Sequence, residues 1–176
     1  MKKKLIIVLV VVLLAGGGYF FYNKNKKDEK AEKAANTFVN IDACTVFTEA
    51  EAQEVLGEAA TKGETTAPTS SDDINVSTCS YTNNGTSAAS IQTATVLARS
   101  PKNAAGVDSN KAVFGNGKPQ DVEVVQGYGT EAYYNADTGQ LNVLKDNAWY
   151  IISNGLSSPS DRTLEDTKAV ADKVFN

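Results

Sequence analysis

The chain has no histidine among its 176 residues. That absence removes serine–histidine and cysteine–histidine nucleophile pairs, and the common histidine-bearing zinc sites, in one step. Cysteine is also scarce: Cys44 and Cys79 are the only two. No cysteine precedes Cys44, so the small residues near position 16 have no lipid-attachment cysteine behind them. Basic residues become a minority beyond position 30. Seven of the 17 Lys and Arg, but only two of the 21 Asp and Glu, lie in residues 1–30, leaving the remainder with a net charge of about −9. An acidic domain repels phosphate backbones, which argues against nucleic acid as a partner and against anionic polymers generally. No internal repeat is visible.

What is present begins with Lys2, Lys3 and Lys4, followed by an apolar run. Residues 5–22 carry no charge. As a helix at roughly 1.5 Å per residue they reach about 27 Å, close to a hydrocarbon core of about 30 Å. Gly16, Gly17 and Gly18 interrupt the run, and Tyr19 and Tyr22 are rings of the kind enriched at the lipid–water interface. A basic start, a short apolar core and small residues also describe a cleaved signal peptide. The expectation is an uncleaved single-pass anchor over residues 1–22, with the N-terminus cytoplasmic and the remainder extracytoplasmic at the cell membrane. The alternative is a cleaved signal.

Residues 23–40 form a charged stalk, in which Glu29 and Lys33 sit at i, i+4 among alanines. Residues 41–176 suffice for one domain. Within it, residues 58–73 are rich in Thr, Ser, Gly and Asp and nearly devoid of large apolar side chains, which predicts a flexible loop. Two cysteines behind an export segment pair as one disulfide, Cys44 to Cys79, or remain two buried thiols.

Three helices are predicted. Thr48 and Glu51 make a capping box ahead of a helix stopped by Gly57. Ser100-Pro101 and Ser158-Pro159 each read as a cap followed by proline at the first helical position. The last helix carries an apolar stripe of Leu164, Val170, Ala171, Val174 and Phe175, expected to pack near Val143 or Ile151. Alternating segments predict five strands over residues 76–82, 89–99, 132–135, 141–145 and 149–153. Turns fall at Asp137-Thr138-Gly139 and Asp146-Asn147. The order predicts an α+β domain, a mainly antiparallel sheet of about five strands with three helices packed on it.

Several of these segments share a pattern: DACTVFTEAEAQEVLGEAA, CSYTN, VQGYGTEAYY and LNVLKDNAWYIIS, then a C-terminal helix. The pattern resembles actinobacterial-type cell-envelope lipoproteins of unknown function. Those proteins open with a D-x-C-x-L-L-T box and an E-x-x-x-L-G helix, and carry a second cysteine in a C-x-Y or C-x-W strand. The resemblance implies an anchored, extracytoplasmic, non-enzymatic domain with a Cys–Cys bridge. It carries over no ligand or catalytic residue. The chain departs from the pattern in offering an apolar segment where those proteins carry a lipidated cysteine.

Catalytic groups are few. Asp137-Thr138-Gly139 matches an aspartic-protease triplet, but that chemistry needs two carboxylates sharing a proton and the chain has one copy. A Ser100–Lys102 dyad and the pair Asp72, Asp73 complete the candidates for a carboxylate-dependent or related hydrolase, the alternative reading. Asn75-Val76-Ser77 and Asn84-Gly85-Thr86 match glycosylation sequons. No cofactor and no metal are expected. The second half concentrates aromatics instead: Tyr128, Tyr133, Tyr134, Trp149 and Tyr150. Adjacent strand residues point to opposite faces. If helices cover one face only, one ring of each adjacent pair lines a surface. These five are the candidate ligand-binding residues of a non-catalytic binding module, whose partner would be a peptide, a glycan or another envelope protein.

Overall fold

The computed structural model describes residues 38–63, 68–87 and 89–176. The chain divides into two units, Met1–Thr37 and Phe38–Asn176, and the described residues all belong to the second. The expected anchor, and the stalk as far as residue 37, lie outside the described residues. Among the described residues no helix is long and apolar enough to cross a membrane.

The domain is α+β. In chain order it runs α1 (Ala43–Val46), α2 (Glu49–Leu56), β1 (Thr61–Lys62), β2 (Thr69–Ser70), β3 (Ile74–Thr82), β4 (Gln92–Pro101) and α3 (Ala104–Asn116). Then come β5 (Glu123–Val124), β6 (Glu131–Asn135), β7 (Gln140–Lys145), β8 (Ala148–Leu156), a 3-10 turn (Pro159–Asp161) and α4 (Leu164–Phe175). The strands form one antiparallel sheet in the order β1-β3-β4-β8-β7-β6-β5, with β2 also pairing on β3. The five strands read from alternation are all present. The three additional ones, β1, β2 and β5, are two residues each, too short to leave a periodic apolar signal. Two of them fall inside residues 58–73, where the sequence predicts a loop without structure. Their side chains are exposed and backbone pairing to β3 holds them.

Capping explains where the helices start. Thr48 and Glu51 complete a reciprocal capping box at α2. The two Ser-Pro pairs do not start helices where the sequence predicts. Ser100 and Pro101 end β4, opposite Asn75 and Ile74, and α3 is capped three residues later by Asn103, whose Oδ1 accepts the Gly106 N–H at 3.0 Å. A Cβ at Gly106 would stand 2.2 Å from the Asp73 carbonyl oxygen, so glycine is what lets this helix start so close to the β2–β3 turn. Ser158-Pro159 opens only the 3-10 turn, and Thr163 caps α4 through the Asp166 N–H.

Both faces of the sheet are covered at the β6–β8 end. One face packs under α1, α2 and α4 and holds Phe47, Cys79, Val96, Leu141, Val143, Ile152 and Val170. The other holds Phe114 of α3 with Tyr133, Leu144 and Trp149. The C-terminal stripe packs on the first face as expected, with Val170 and Ala171 fully buried and Leu164, Val174 and Phe175 partly so. Val143 lies on that face, whereas Ile151 packs on the opposite one. Cys44 of α1 and Cys79 of β3 form a disulfide, with Cα atoms 5.0 Å apart, inside the range of about 4.4–6.8 Å that a bridge requires. It ties the first helix to the first long strand.

The entry to the domain is clamped by two buried hydroxyls. Ser77 Oγ accepts the Ala43 N–H at 2.8 Å and donates to the Ile41 carbonyl at 2.9 Å, and Ser100 Oγ accepts the Ile41 N–H at 2.9 Å.

Candidate functional site

The five candidate aromatics are not brought together. Tyr133 and Trp149 are 2 % and 8 % exposed under α3, and Tyr134 and Tyr150 are 5 % and 8 % exposed under α4. The expectation that one ring of each pair lines a surface requires an uncovered face. At this end of the sheet there is none, so all four are core. Tyr133 and Trp149 meet Phe114 edge-on at 5.0 and 6.4 Å. The Trp149 indole N–H donates to the buried Asn142 Oδ1 at 3.1 Å, and the Tyr134 hydroxyl donates to the Arg162 carbonyl at 2.7 Å.

Tyr128 alone of the five lies at the surface. Its turn, between β5 and β6, begins and ends in left-handed backbone, with φ +95° at Gly127 and +58° at Gly129. Both conformations suit glycine. At Gly129 a side chain is also excluded by contact, because a Cβ would stand 2.3 Å from the Leu144 carbonyl oxygen. That same oxygen accepts the Thr130 N–H at 2.8 Å and the Thr130 Oγ1 hydroxyl at 2.9 Å. The turn is thereby fixed to the end of β7.

Against this turn, the last two turns of α4 and Lys145 at the end of β7 enclose an open hollow of about 290 Å³. Lys168, Asp172 and Phe175 contribute from the helix. Their spacing of four and three residues puts them on one face. The Tyr128 hydroxyl donates to Asp172 Oδ1 at 2.5 Å. Its pKa is pushed up to about 12, first by burial of the ring and then by the Asp172 carboxylate that holds its proton. The Tyr128 and Phe175 rings lie 5.9 Å apart, Tyr150 meets Phe175 edge-on at 5.1 Å, and the Lys145 ammonium sits 4.9 Å from the Phe175 ring centre. Phe175 thus connects the hollow to the core below it.

The charged and aromatic members missed by sequence reasoning are Lys145, Lys168, Asp172 and Phe175. Phe175 reads there as part of the packing stripe. The signal that could have found them is the i, i+4, i+7 spacing of 168, 172 and 175, which places two charges along the edge of the apolar stripe.

The other candidates take structural places. Asp137 is exposed in the β6–β7 turn, its N–H donating to Asn135 Oδ1. Ser100 is fully buried, while the Lys102 ammonium reaches the Ser71 carbonyl at 2.7 Å, so the two do not form a dyad. Asp73 Oδ1 accepts the Asn103 amide at 2.8 Å. Asn75 lies within paired strand with Ser77 buried beside it, whereas Asn84 is exposed in the β3–β4 loop. Among the described residues there is no cluster of three or more Cys, Asp or Glu able to hold a metal.

No protein-family model, no curated protein and no solved structure matches the chain.

Proposed function

We propose that the chain is a membrane-anchored, extracytoplasmic, non-catalytic binding module, and that the hollow at Tyr128 is its ligand site. The anchor and the side of the membrane rest on the basic and apolar pattern of residues 2–22 and are supported by the Cys44–Cys79 disulfide, a bond of oxidising compartments. The observation that carries the binding reading is the composition of the hollow. Two aromatic rings, two ammonium groups and a carboxylate converge on an open concavity, backed by a turn hydrogen-bonded to β7. Ligand sites have this form: a few placed polar groups beside apolar surface. The hollow's carboxylate side chain, Asp172, is engaged with the Tyr128 hydroxyl. A binding role uses that arrangement as it stands, whereas hydrolysis by paired carboxylates needs a second acid beside it.

Amide hydrogen exchange tests the reading. The full chain in detergent micelles is exposed to polysaccharide and peptide fractions of its host envelope. Exchange at residues 126–130 and 168–176 is expected to slow with at least one fraction. Unchanged exchange with every fraction would refute a ligand site there. The anchor is tested separately. The protein should stay in the membrane fraction through an alkaline wash and retain its N-terminal residues, and recovery of a soluble form beginning near Gly18 would assign residues 1–17 as a cleaved signal.

A further inference from the structure

The lysines that flank β6, β7 and α4 fall into two kinds. Lys118 pairs with Glu131 at 2.8 Å, and Lys173 pairs with Glu54. Lys145 and Lys168, the two that line the hollow, have no carboxylate partner among the described residues. In a domain with a net charge of about −9, two unpaired ammonium groups facing one concavity are an unusual local positive field. The turn beside them adds to it. Gly127, Tyr128 and Gly129 line the hollow, and each backbone N–H is a hydrogen-bond donor. Among the described residues, no acceptor takes the N–H of Gly127, Tyr128 or Gly129.

The same hollow contains a negative group. Asp172 uses Oδ1 for the Tyr128 hydroxyl, and among the described residues Oδ2 has no partner. A carboxylate beside two ammonium groups repels a dianion but accepts hydroxyl donors. The ligand chemistry that fits both is a single negative charge on a body rich in hydroxyls. The volume, about 290 Å³, lies at the low end for ligand pockets and suits one ring rather than an extended chain. The half-buried Tyr128 ring offers a flat flank for the C–H face of such a ring. A long polyanion is opposed by the charge of the domain as a whole, so the acidic unit is isolated or sparse along its polymer.

We propose that the hollow between the Gly127–Gly129 turn and α4 binds a sugar ring bearing one carboxylate. Lys145 and Lys168 take the carboxylate, and Asp172 takes ring hydroxyls. The inference rests on the binding reading above and narrows its ligand. An extended peptide ending in a carboxylate shares the charge but lacks the hydroxyl donors, and the compact hollow gives it no groove to lie in.

The test is ligand-observed NMR on the full chain in detergent micelles, with three probes: methyl β-glucuronide, methyl β-glucoside and acetyl-Ala-Ala with a free carboxylate. The two sugars differ only in carboxylate against hydroxymethyl. The glucuronide should bind tighter than the glucoside by about tenfold, the scale of one charge-assisted hydrogen bond. That gap should close with added salt and in the Lys145→Ala/Lys168→Ala double variant, and survive in Lys168→Arg. These are surface substitutions, and an unchanged melting temperature shows that the fold is intact. Equal binding of the two sugars, or a gap that the double variant leaves open, overturns the assignment of the carboxylate to these lysines. Tighter binding of the peptide than of the glucuronide overturns the sugar class. If no probe binds while envelope fractions still slow exchange in the turn, the acidic-sugar inference fails and the binding reading stands. If no fraction slows exchange either, both fail.

Discussion

The two faces of the sheet solve the same burial problem with different chemistry. The cluster under α1, α2 and α4 has eighteen buried residues, mostly aliphatic, twelve of them on β3, β4, β6, β7 and β8. The apolar cluster under α3 has four buried residues, three of them aromatic. One helix covers that second face from the end of β4, where Asn110 Nδ2 donates to the Arg99 carbonyl at 3.0 Å, across β8 and β7 to Tyr133. Beyond its reach the strand residues become small and polar: Thr78, Ser80, Thr93 and Thr95 stay half-exposed, and the Ser80 and Thr95 hydroxyls hydrogen-bond across strands at 3.0 Å. The difference teaches what decides residue type along a strand. Where both faces are covered, β7 reads Leu141, Asn142, Val143, Leu144 without alternation, all buried. Where one face meets water, β4 alternates from Thr93 to Ser100.

The comparison breaks most severely at Trp149. If the smaller face is a true core, Trp149→Ala should cost about 3–5 kcal/mol, the usual range for a buried aromatic. The variant also strands Asn142 Oδ1, whose partner is the Trp149 N–H, in a site where it is 5 % exposed. Denaturant unfolding against a parent of about 5–15 kcal/mol measures it. A loss below about 1 kcal/mol would mean that α3 lies loosely on the sheet.

The larger face should feel loss of the disulfide nearly as strongly. Cys44 and Cys79 are 35 residues apart, and the chain-entropy model gives about 3–4 kcal/mol for closing such a loop. Cys44→Ser/Cys79→Ser should lower stability by that amount while leaving the Trp149 environment unchanged, since the bridge is on the other face. Near-ultraviolet circular dichroism of Trp149 distinguishes the outcomes. A perturbed Trp149 signal in the folded double variant would show that the two faces are coupled through the sheet.

Legibility in the sequence divides along the same line. The alternating strands β3 and β4 are readable because one face is wet. The capping box of α2 is readable because its signal is local. The five long strands and the antiparallel hairpins at Asp137-Thr138-Gly139 and Asp146-Asn147 are readable too. Asp146 and Asn147 adopt φ of 50° and 67°, as a tight hairpin demands. What fails depends on tertiary contact. Ser100 looks like a helix cap in sequence, but its hydroxyl is taken by Ile41, 59 residues away. One ring of each pair, Tyr133/Tyr134 and Trp149/Tyr150, reads as a surface ring only until helices are placed on both faces. The hollow is half-visible. Tyr128 between glycines marks the turn, but its partners come from β7 and α4, and nothing local joins position 128 to 172.

A smaller effect grades the larger face from centre to rim. Val170 is fully buried and Leu164 only partly, though both belong to the same stripe of α4. Val170→Ala should cost roughly 2 kcal/mol, from about 0.8 kcal/mol per buried methylene plus a cavity term. Leu164→Ala, which removes more atoms, should cost only about 1 kcal/mol because water already reaches the site. The expected order of melting temperatures is parent, Leu164→Ala, Val170→Ala. The reverse order would place the anchoring contact of the helix at its N-terminal end.

The smallest effect separates Tyr128 from the tyrosines beneath it. Tyr81, Tyr133, Tyr134 and Tyr150 have raised pKa values with burial as the leading cause, and burial leads at Tyr128 too. Tyr128 differs in that its hydroxyl is held by a carboxylate at the rim of a hollow. Its folded pKa, about 12, lies above the ordinary 10.0. The folded state therefore binds the phenolic proton more tightly than the unfolded state. The stability this confers is fully present below about pH 10 and is lost as pH rises through about 12. Asp172→Asn removes the neighbouring charge but leaves the ring in place. Ultraviolet difference titration should then show one tyrosine ionising at lower pH than in the parent, with the buried four unmoved. Its pKa should fall only part of the way to the ordinary value, because the ring stays buried. A titration curve identical to the parent's would mean that burial alone sets the shift at Tyr128. The Tyr128–Asp172 contact would then contribute nothing to the shape of the hollow, and the distinction between rim and core drawn at this ring would fail.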